Sequence, residues 1–165
     1  METKKYTIYC QTTSVEATQQ MGNQIGEWLR SENQSMCIAL IGDLGTGKTH
    51  MSKGIGKGFG VTSEMTSPTF SLMNTYDVEG SRLYHFDLYR IESVDELENI
   101  AFCEYTEDQI SIVEWANLFE TEIPEETIWI TIESIDEGTR RIQLSSDVVN
   151  EEVLQKLGGQ YVVGY

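Results

Sequence analysis

Met21, Ile25, Trp28 and Leu29 recur at the three- and four-residue spacing of one helix face, and Thr13 with Glu16 gives a T-x-x-E capping box ahead of them. Residues 14–31 are therefore predicted to form an amphipathic helix, preceded by a short strand around Lys5 to Cys10. Met36 to Ile41 is an unbroken apolar run closed by glycine, the pattern of a strand buried on both faces. A glycine-rich turn leads into a second helix, from about Lys48 to Lys57, ending near Gly58 and Gly60. A polar loop, Thr62 to Pro68, precedes a strand from Phe70 to Tyr76, a hairpin turn at Glu79-Gly80-Ser81 and a returning strand from Arg82 to Leu88. Ser93 and Glu96 form a second capping box before a helix that should end near Phe102. Ile110 to Val113 is a short buried strand that terminates in Glu114-Trp115. Ile128 to Ile135 and Arg141 to Leu144 flank Asp136-Glu137-Gly138 as a closing hairpin, and Val149, Val153, Leu154 and Leu157 mark a last short helix. Strands alternating with helices predict an α/β fold with a mostly parallel central sheet, antiparallel hairpin additions and flanking helices.

A length of 165 residues accommodates one domain over 1–165, with a core over about 5–145 and a helical tail over about 147–158. The longest apolar run, about Cys37 to Ile41, is far below the ~20 residues that span a bilayer, and no basic, apolar leader opens the chain. A cytoplasmic protein without a membrane partner is expected. Cys10, Cys37 and Cys103 are odd in number and widely spaced, which suits unpaired thiols in a reducing compartment better than a disulfide framework or a zinc site. The 27 acidic against 11 basic residues leave a net charge of −16. Nucleic-acid binders gain affinity by neutralising phosphates, so no direct tight nucleic-acid binding is expected of this chain alone.

The turn between the apolar run and the second helix changes the picture most. Gly42-Asp43-Leu44-Gly45-Thr46-Gly47-Lys48-Thr49 satisfies G-x-x-x-x-G-K-[ST], with a buried strand before it and a helix after it. Glycines let successive N–H groups of residues 43–49 curl around a phosphate; Lys48 brings a cation to the β- and γ-phosphates, and the Thr49 hydroxyl can ligate Mg²⁺. The helix that begins there aims its partial positive charge at the same anion. A P-loop NTPase-like domain binding a nucleoside triphosphate is predicted, and backbone amides allow it in an acidic protein. No N-K-x-D motif reads guanine, which disfavours GTP.

Such a loop needs a carboxylate at the tip of a neighbouring strand to hold or orient the magnesium. Asp87 closes the strand Leu83-Tyr84-His85-Phe86 and Glu114 closes Ile110-Ser111-Ile112-Val113, both at the edge where open α/β sheets place ligands. Either can meet the ion directly or through water. Thr69, after Ser67-Pro68, reads either as a γ-phosphate-sensing threonine or as a plain loop-to-strand boundary. Arg90 reads as a surface ion-pair partner or as a cation for transition-state charge, and Trp115 as core or as a cover over nucleotide or partner. His50 and His85 read as structural, because no second ligand is spaced to pair with either.

The segments GDLGTGKTH, SPTFSLMNTY, YHFDLYRI and SIVEWA, in this order and spacing, resemble the TsaE family, the small ATPases of the bacterial tRNA threonylcarbamoyladenosine pathway. The resemblance spans about residues 5–145. It implies hydrolysis of ATP to ADP with Mg²⁺, in company with the TsaD and TsaB proteins that install threonylcarbamoyl on N6 of adenosine 37 in tRNA. Residue by residue, Lys48 and Thr49 match the phosphate and magnesium positions, Glu114 matches a magnesium carboxylate, and Asp87 matches an acid needed for hydrolysis or metal positioning. Thr18, in Glu16-Ala17-Thr18, matches a first-helix E-x-T pattern near the base; Val15 lies one turn earlier, and Gly138 falls in a late hairpin brought towards adenine. His50 after the loop and Thr46 within it depart from the commoner residues without removing a required group. The alternative, a small-molecule kinase using the same loop, would need an arginine-rich lid; the five arginines, Arg30, Arg82, Arg90, Arg140 and Arg141, form no such cluster in sequence. A non-catalytic adaptor holding nucleotide for structure alone is a third expectation, separable by Lys48→Ala.

Overall fold

The computed structural model describes residues 3–43, 45–68 and 70–164. In chain order the elements are β1 (Tyr6–Thr12), α1 (Val15–Glu32), β2 (Met36–Ile41), α2 (Lys48–Phe59), β3 (Met73–Val78), β4 (Ser81–Asp87), α3 (Val94–Asn99), α4 (Phe102–Thr106), β5 (Ile110–Glu114), β6 (Thr127–Ser134), β7 (Arg140–Ser146), α5 (Glu151–Gly158) and β8 (Val162–Val163). Short 3₁₀ turns occupy Ala116–Glu122 and Gly159–Tyr161.

Among the described residues the eight strands join one sheet in the order β3-β4-β5-β2-β6-β7-β1-β8. The four inner strands β4, β5, β2 and β6 run parallel. The ladders β3–β4, β6–β7, β7–β1 and β1–β8 are antiparallel. The sheet is therefore mixed rather than mostly parallel. Only its centre has the helical crossovers that parallel pairing requires. On one side the chain turns back through Glu79 and Gly80, where Gly80 has φ +78°. On the other, β1 returns to the β6–β7 hairpin, a pairing that alternation within β1 does not encode.

β2 is buried on both faces, as its apolar run predicts. Ile38 and Leu40 pack with Ile112 and Ile130 under α1, α2 and α5, through Met21, Ile25, Ile55 and Phe59. Cys37 and Ala39 face the opposite layer with Phe86, Val113, Leu97 and Phe102. Leu154 and Leu157 of α5 are buried in the first of these cores, so the C-terminal helix packs on the sheet.

α1 and α2 touch backbone to backbone. A Cβ on Gly26 would run into the Ile55 carbonyl, one on Gly54 into that of Gln19, and one on Gly58 into that of Asn23. Gly22, which faces the Met51 carbonyl, and Gly26 on α1, with Gly54 and Gly58 on α2, are thus pairs four residues apart that lock α2 against α1.

Several boundaries differ from the sequence reading. Ser14, not Thr13, caps α1, its hydroxyl accepting from the Ala17 N–H at 3.0 Å. The helix expected after Ser93 breaks at Ala101, which has φ 56°, into α3 and α4. Ser93 makes no side-chain cap bond; Glu96 instead accepts from the Glu92 N–H at 2.7 Å. The strand expected from Phe70 begins at Met73, because Leu72 turns through φ 68° and Phe70 is 84% exposed. Among the described residues no helix is long and apolar enough to cross a membrane.

Candidate functional site

The loop after β2 turns on itself at Asp43, whose carbonyl accepts from the Thr46 N–H at 3.2 Å and the Thr46 hydroxyl at 2.8 Å. Gly45 (φ +80°) and Gly47 (φ +107°) hold left-handed backbone that favours glycine, and Gly47 starts α2. Ser14 and Asn150 cap α1 and α5 with their side chains, whereas among the described residues no side chain caps α2. Its first amides, together with the helix dipole, thus make an anion-seeking end.

Lys48 is buried and donates to the carbonyls of Gly42 and, at 2.9 Å, Asp43. Its ammonium lies 4.3 Å from the centre of the Trp115 ring. Burial lowers its pKa from the ordinary lysine value, and the nearby charges of Glu114, Asp87 and Asp43 oppose that shift.

Asp87 and Glu114 are the last register pair of the parallel β4–β5 ladder, and Glu114 in turn pairs with Leu40 of β2. Both acids stand on the sheet face that α2 covers, at the tip beside the glycine-rich loop. They are 6% and 3% exposed. Asp87 accepts from the Tyr89 N–H at 3.0 Å and the Ser67 hydroxyl at 3.3 Å. Glu114 Oε2 accepts from His85 Nε2 at 2.6 Å. The cleft, about 460 Å³, is shared by Gly45, Gly47, Lys48, Thr49, Asp87 and Glu114, so the structure brings together the residues expected for catalysis and metal binding. Asp43 is exposed at the loop's outer turn, and Leu44 and Thr69 lie outside the described residues.

A smaller cavity of about 30 Å³ adjoins the loop and gathers Val15, Thr18 and Gly138 with Thr46, His50 and Arg140. Thr18 is buried, bonded through its hydroxyl to Thr12 at 2.8 Å and the Ser14 carbonyl at 3.2 Å. The hairpin that carries Gly138 is shaped by Asp136, whose carboxylate accepts from the Gly138 and Thr139 N–H groups at 3.1 and 3.0 Å. Hydrogen bonds from Thr139 and Gly138 hold that carboxyl below the usual carboxylate range.

Arg140 was not legible as a site residue. It donates from Nε to the Thr46 carbonyl at 2.8 Å and from Nη1 to the Asp136 carbonyl at 2.9 Å, clipping the hairpin to the loop. Nothing local in the sequence signals this contact, since it joins β7 to a loop some ninety residues away. Arg90 makes no ion pair among the described residues, contrary to the surface-pair reading. Its guanidinium lies 4.6 Å from the Phe70 ring centre and borders the cleft. Trp115 is half-buried beside Tyr89, ring centres 4.8 Å apart, and forms a wall of the cleft. His85, read as structural, touches the Glu114 carboxylate; strand alternation puts it on the same face as Asp87, and that is the signal that would have found this contact.

Thr49, Asp87 and Glu114 offer hard oxygen donors. Among the described residues no cluster of three or more His, Cys, Asp or Glu could cage a metal by itself. A sparse oxygen set suits Mg²⁺, which keeps waters and shares its shell with phosphate.

The family model of "Threonylcarbamoyl adenosine biosynthesis protein TsaE" matches residues 12–142. The tRNA threonylcarbamoyladenosine biosynthesis protein TsaE of Bacillus subtilis is 39% identical over 110 residues, 66% of this chain and 68% of the relative. The Treponema pallidum TsaE is 32% identical over 138 residues, 82% of this chain and 98% of the relative. The crystal structure of Bacillus subtilis YdiB superposes with a TM-score of 0.71 at 27% identity, covering 92% of this chain and 93% of the other. With a family model spanning most of its length and relatives above 30% identity, the chain belongs to the TsaE family.

Proposed function

We propose that this chain is a P-loop ATPase that hydrolyses ATP to ADP and phosphate with Mg²⁺, and that it serves tRNA N6-threonylcarbamoyladenosine biosynthesis beside TsaD and TsaB. The observation that carries the reading is the convergence of an uncapped helix start, Lys48 and two strand-tip carboxylates in one cleft. Backbone amides from Gly45 to Thr49 receive the phosphates, with Asp43 at the turn before them. Lys48 exchanges the carbonyls of Gly42 and Asp43 for phosphate oxygens. Val15, Thr18 and Gly138 border the place for the base.

Thr49 and Glu114 hold the metal, with Asp87 beside them to ligate it or orient the attacking water. When bound, Mg²⁺ neutralises charge on the β- and γ-phosphate oxygens. Asp87 already accepts two hydrogen bonds, so its carboxylate is fixed in place before substrate arrives.

Turnover by the isolated chain is slow on this reading. Arg140 is committed to the Thr46 and Asp136 carbonyls and Arg90 to the Phe70 ring, which leaves Lys48 as the principal cation at the phosphates. TsaD–TsaB completes the site and supplies a basic face for a partner of charge −16. The same charge opposes direct binding of tRNA. A cytoplasmic setting follows from that role and suits the unpaired Cys10, Cys37 and Cys103.

Phosphate release from ATP, measured for wild type, Lys48→Ala and Glu114→Ala with and without TsaD–TsaB, tests the proposal. Stimulation of the wild type alone supports it. Equal rates with and without the partners remove the partner-dependent reading, and transfer of labelled phosphate to a metabolite instead of water replaces it with a kinase.

A further inference from the structure

Resting on the ATPase reading, we propose that His85 is the positioning residue of Glu114: it holds one carboxylate oxygen so that the other is presented to the metal beside Thr49. His85 and Glu114 stand on adjacent parallel strands, two residues out of register, on the face covered by α2. His85 Nε2 lies 2.6 Å from Glu114 Oε2, and both side chains are almost wholly buried. A carboxylate only accepts, so Nε2 carries the hydrogen, and at this distance the bond is a strong, charge-assisted one. Nδ1 is buried with no hydrogen-bond partner among the described residues, so the bond to Glu114 is the imidazole's polar tether there.

The arrangement answers a specific difficulty. Asp87 and Glu114 are direct neighbours in register, and two anionic carboxylates so placed repel each other. Lys48, whose charge both acids feel, offsets that repulsion but does not choose between the oxygens of Glu114. The His85 bond does choose: it engages Oε2, which on this proposal leaves Oε1 as the oxygen for the metal. Outer partners that orient a ligating carboxylate in this way commonly govern metal affinity by 10- to 100-fold.

The test is binding of ADP to the full chain by titration calorimetry across a magnesium series and in EDTA, for wild type, His85→Leu and His85→Gln. Glutamine places an amide N–H near the position of Nε2. His85→Leu is expected to raise the half-saturating magnesium concentration by about tenfold or more while ADP binds as in wild type in EDTA, and His85→Gln to recover most of the loss. A wild-type magnesium midpoint in His85→Leu overturns the inference. So does an equal rise in both variants, which would mark a packing role. If His85→Leu fails to bind ADP even in EDTA, the glutamine variant decides: a midpoint close to wild type supports the proposal and a large rise overturns it. A wild type that binds ADP with no magnesium dependence at all removes the metal-binding reading beneath the inference, a result distinct from these.

Discussion

The Lys48 ammonium rests 4.3 Å from the centre of the Trp115 ring, and Trp115 holds left-handed backbone (φ 61°) immediately after Glu114. One side chain therefore touches the candidate phosphate cation and follows a candidate metal ligand in the chain. Nucleotide that draws Lys48 off its carbonyls changes the charge over this indole. Titration with ADP or ATP is expected to change tryptophan emission, and Trp115→Phe to abolish the change while Trp28 and Trp129 remain. A full response in Trp115→Phe would contradict the placement of the phosphates beside Lys48.

Burial lowers the Lys48 pKa, and the sign of its pH dependence follows. Between the folded and the unfolded values the unfolded chain holds the extra proton, so this group's contribution to stability rises with pH through that window and is absent below it. Phosphate affinity runs the opposite way, because the neutral amine no longer attracts the anion. Nucleotide affinity is expected to fall on the alkaline side earlier than an ordinary lysine would dictate, and Lys48→Arg to flatten that limb. Calorimetric titrations from neutral to alkaline pH measure both.

Gly26 and Gly54 have carbonyls of the opposite helix where a Cβ would go. Gly26→Ala and Gly54→Ala are each expected to destabilise the fold by about 1–3 kcal/mol, the usual cost of overpacking. Because α2 begins at Lys48, nucleotide affinity should fall with them. Gly164→Ala, with open space around it, is the control, and thermal melts with and without ADP give both readings.

The glycine-rich loop, the two strand-tip acids and the fully buried β2 were legible because each is written locally, as a motif or as an apolar run with a polar end. The β3–β4 and β6–β7 hairpins were legible from their turns, but the placing of β1 between β7 and β8 was not, since these ladders join distant segments whose alternation suits either direction. Arg140 was missed for the same reason. His85 was missed although the information was present: it stands two residues before Asp87 and so shares its face, but it was weighed only as a metal ligand. The break at Ala101 runs against local preference, as a left-handed alanine is favoured only by packing around it.

Thr13 and Ser14 separate two readings of the first helix start. Ser14→Ala is expected to cost about 1 kcal/mol, the usual loss of an N-cap, and Thr13→Ala much less. Denaturant midpoints of the two variants decide which residue caps the helix.

Burial pushes the Cys10 thiol up to about 12 and that of Cys37 up to about 11, whereas Cys103 is exposed, its thiol raised by partial burial and the carboxylates around it. Iodoacetamide at neutral pH is expected to modify Cys103 alone, slowly, in the native protein, and all three after denaturation. Peptide mass mapping counts the labelled sites.

The glycine interlock described above has a mechanical meaning. With two backbones in direct touch and no side-chain layer to shear, the helix that begins at Lys48 travels with its neighbour as a single rigid beam. Any adjustment of the cleft to a ligand would then fall to the opposite rim, where side-chain hydrogen bonds such as Ser67 to Asp87 and Arg140 to the Thr46 carbonyl, rather than interlocked backbone, join the parts.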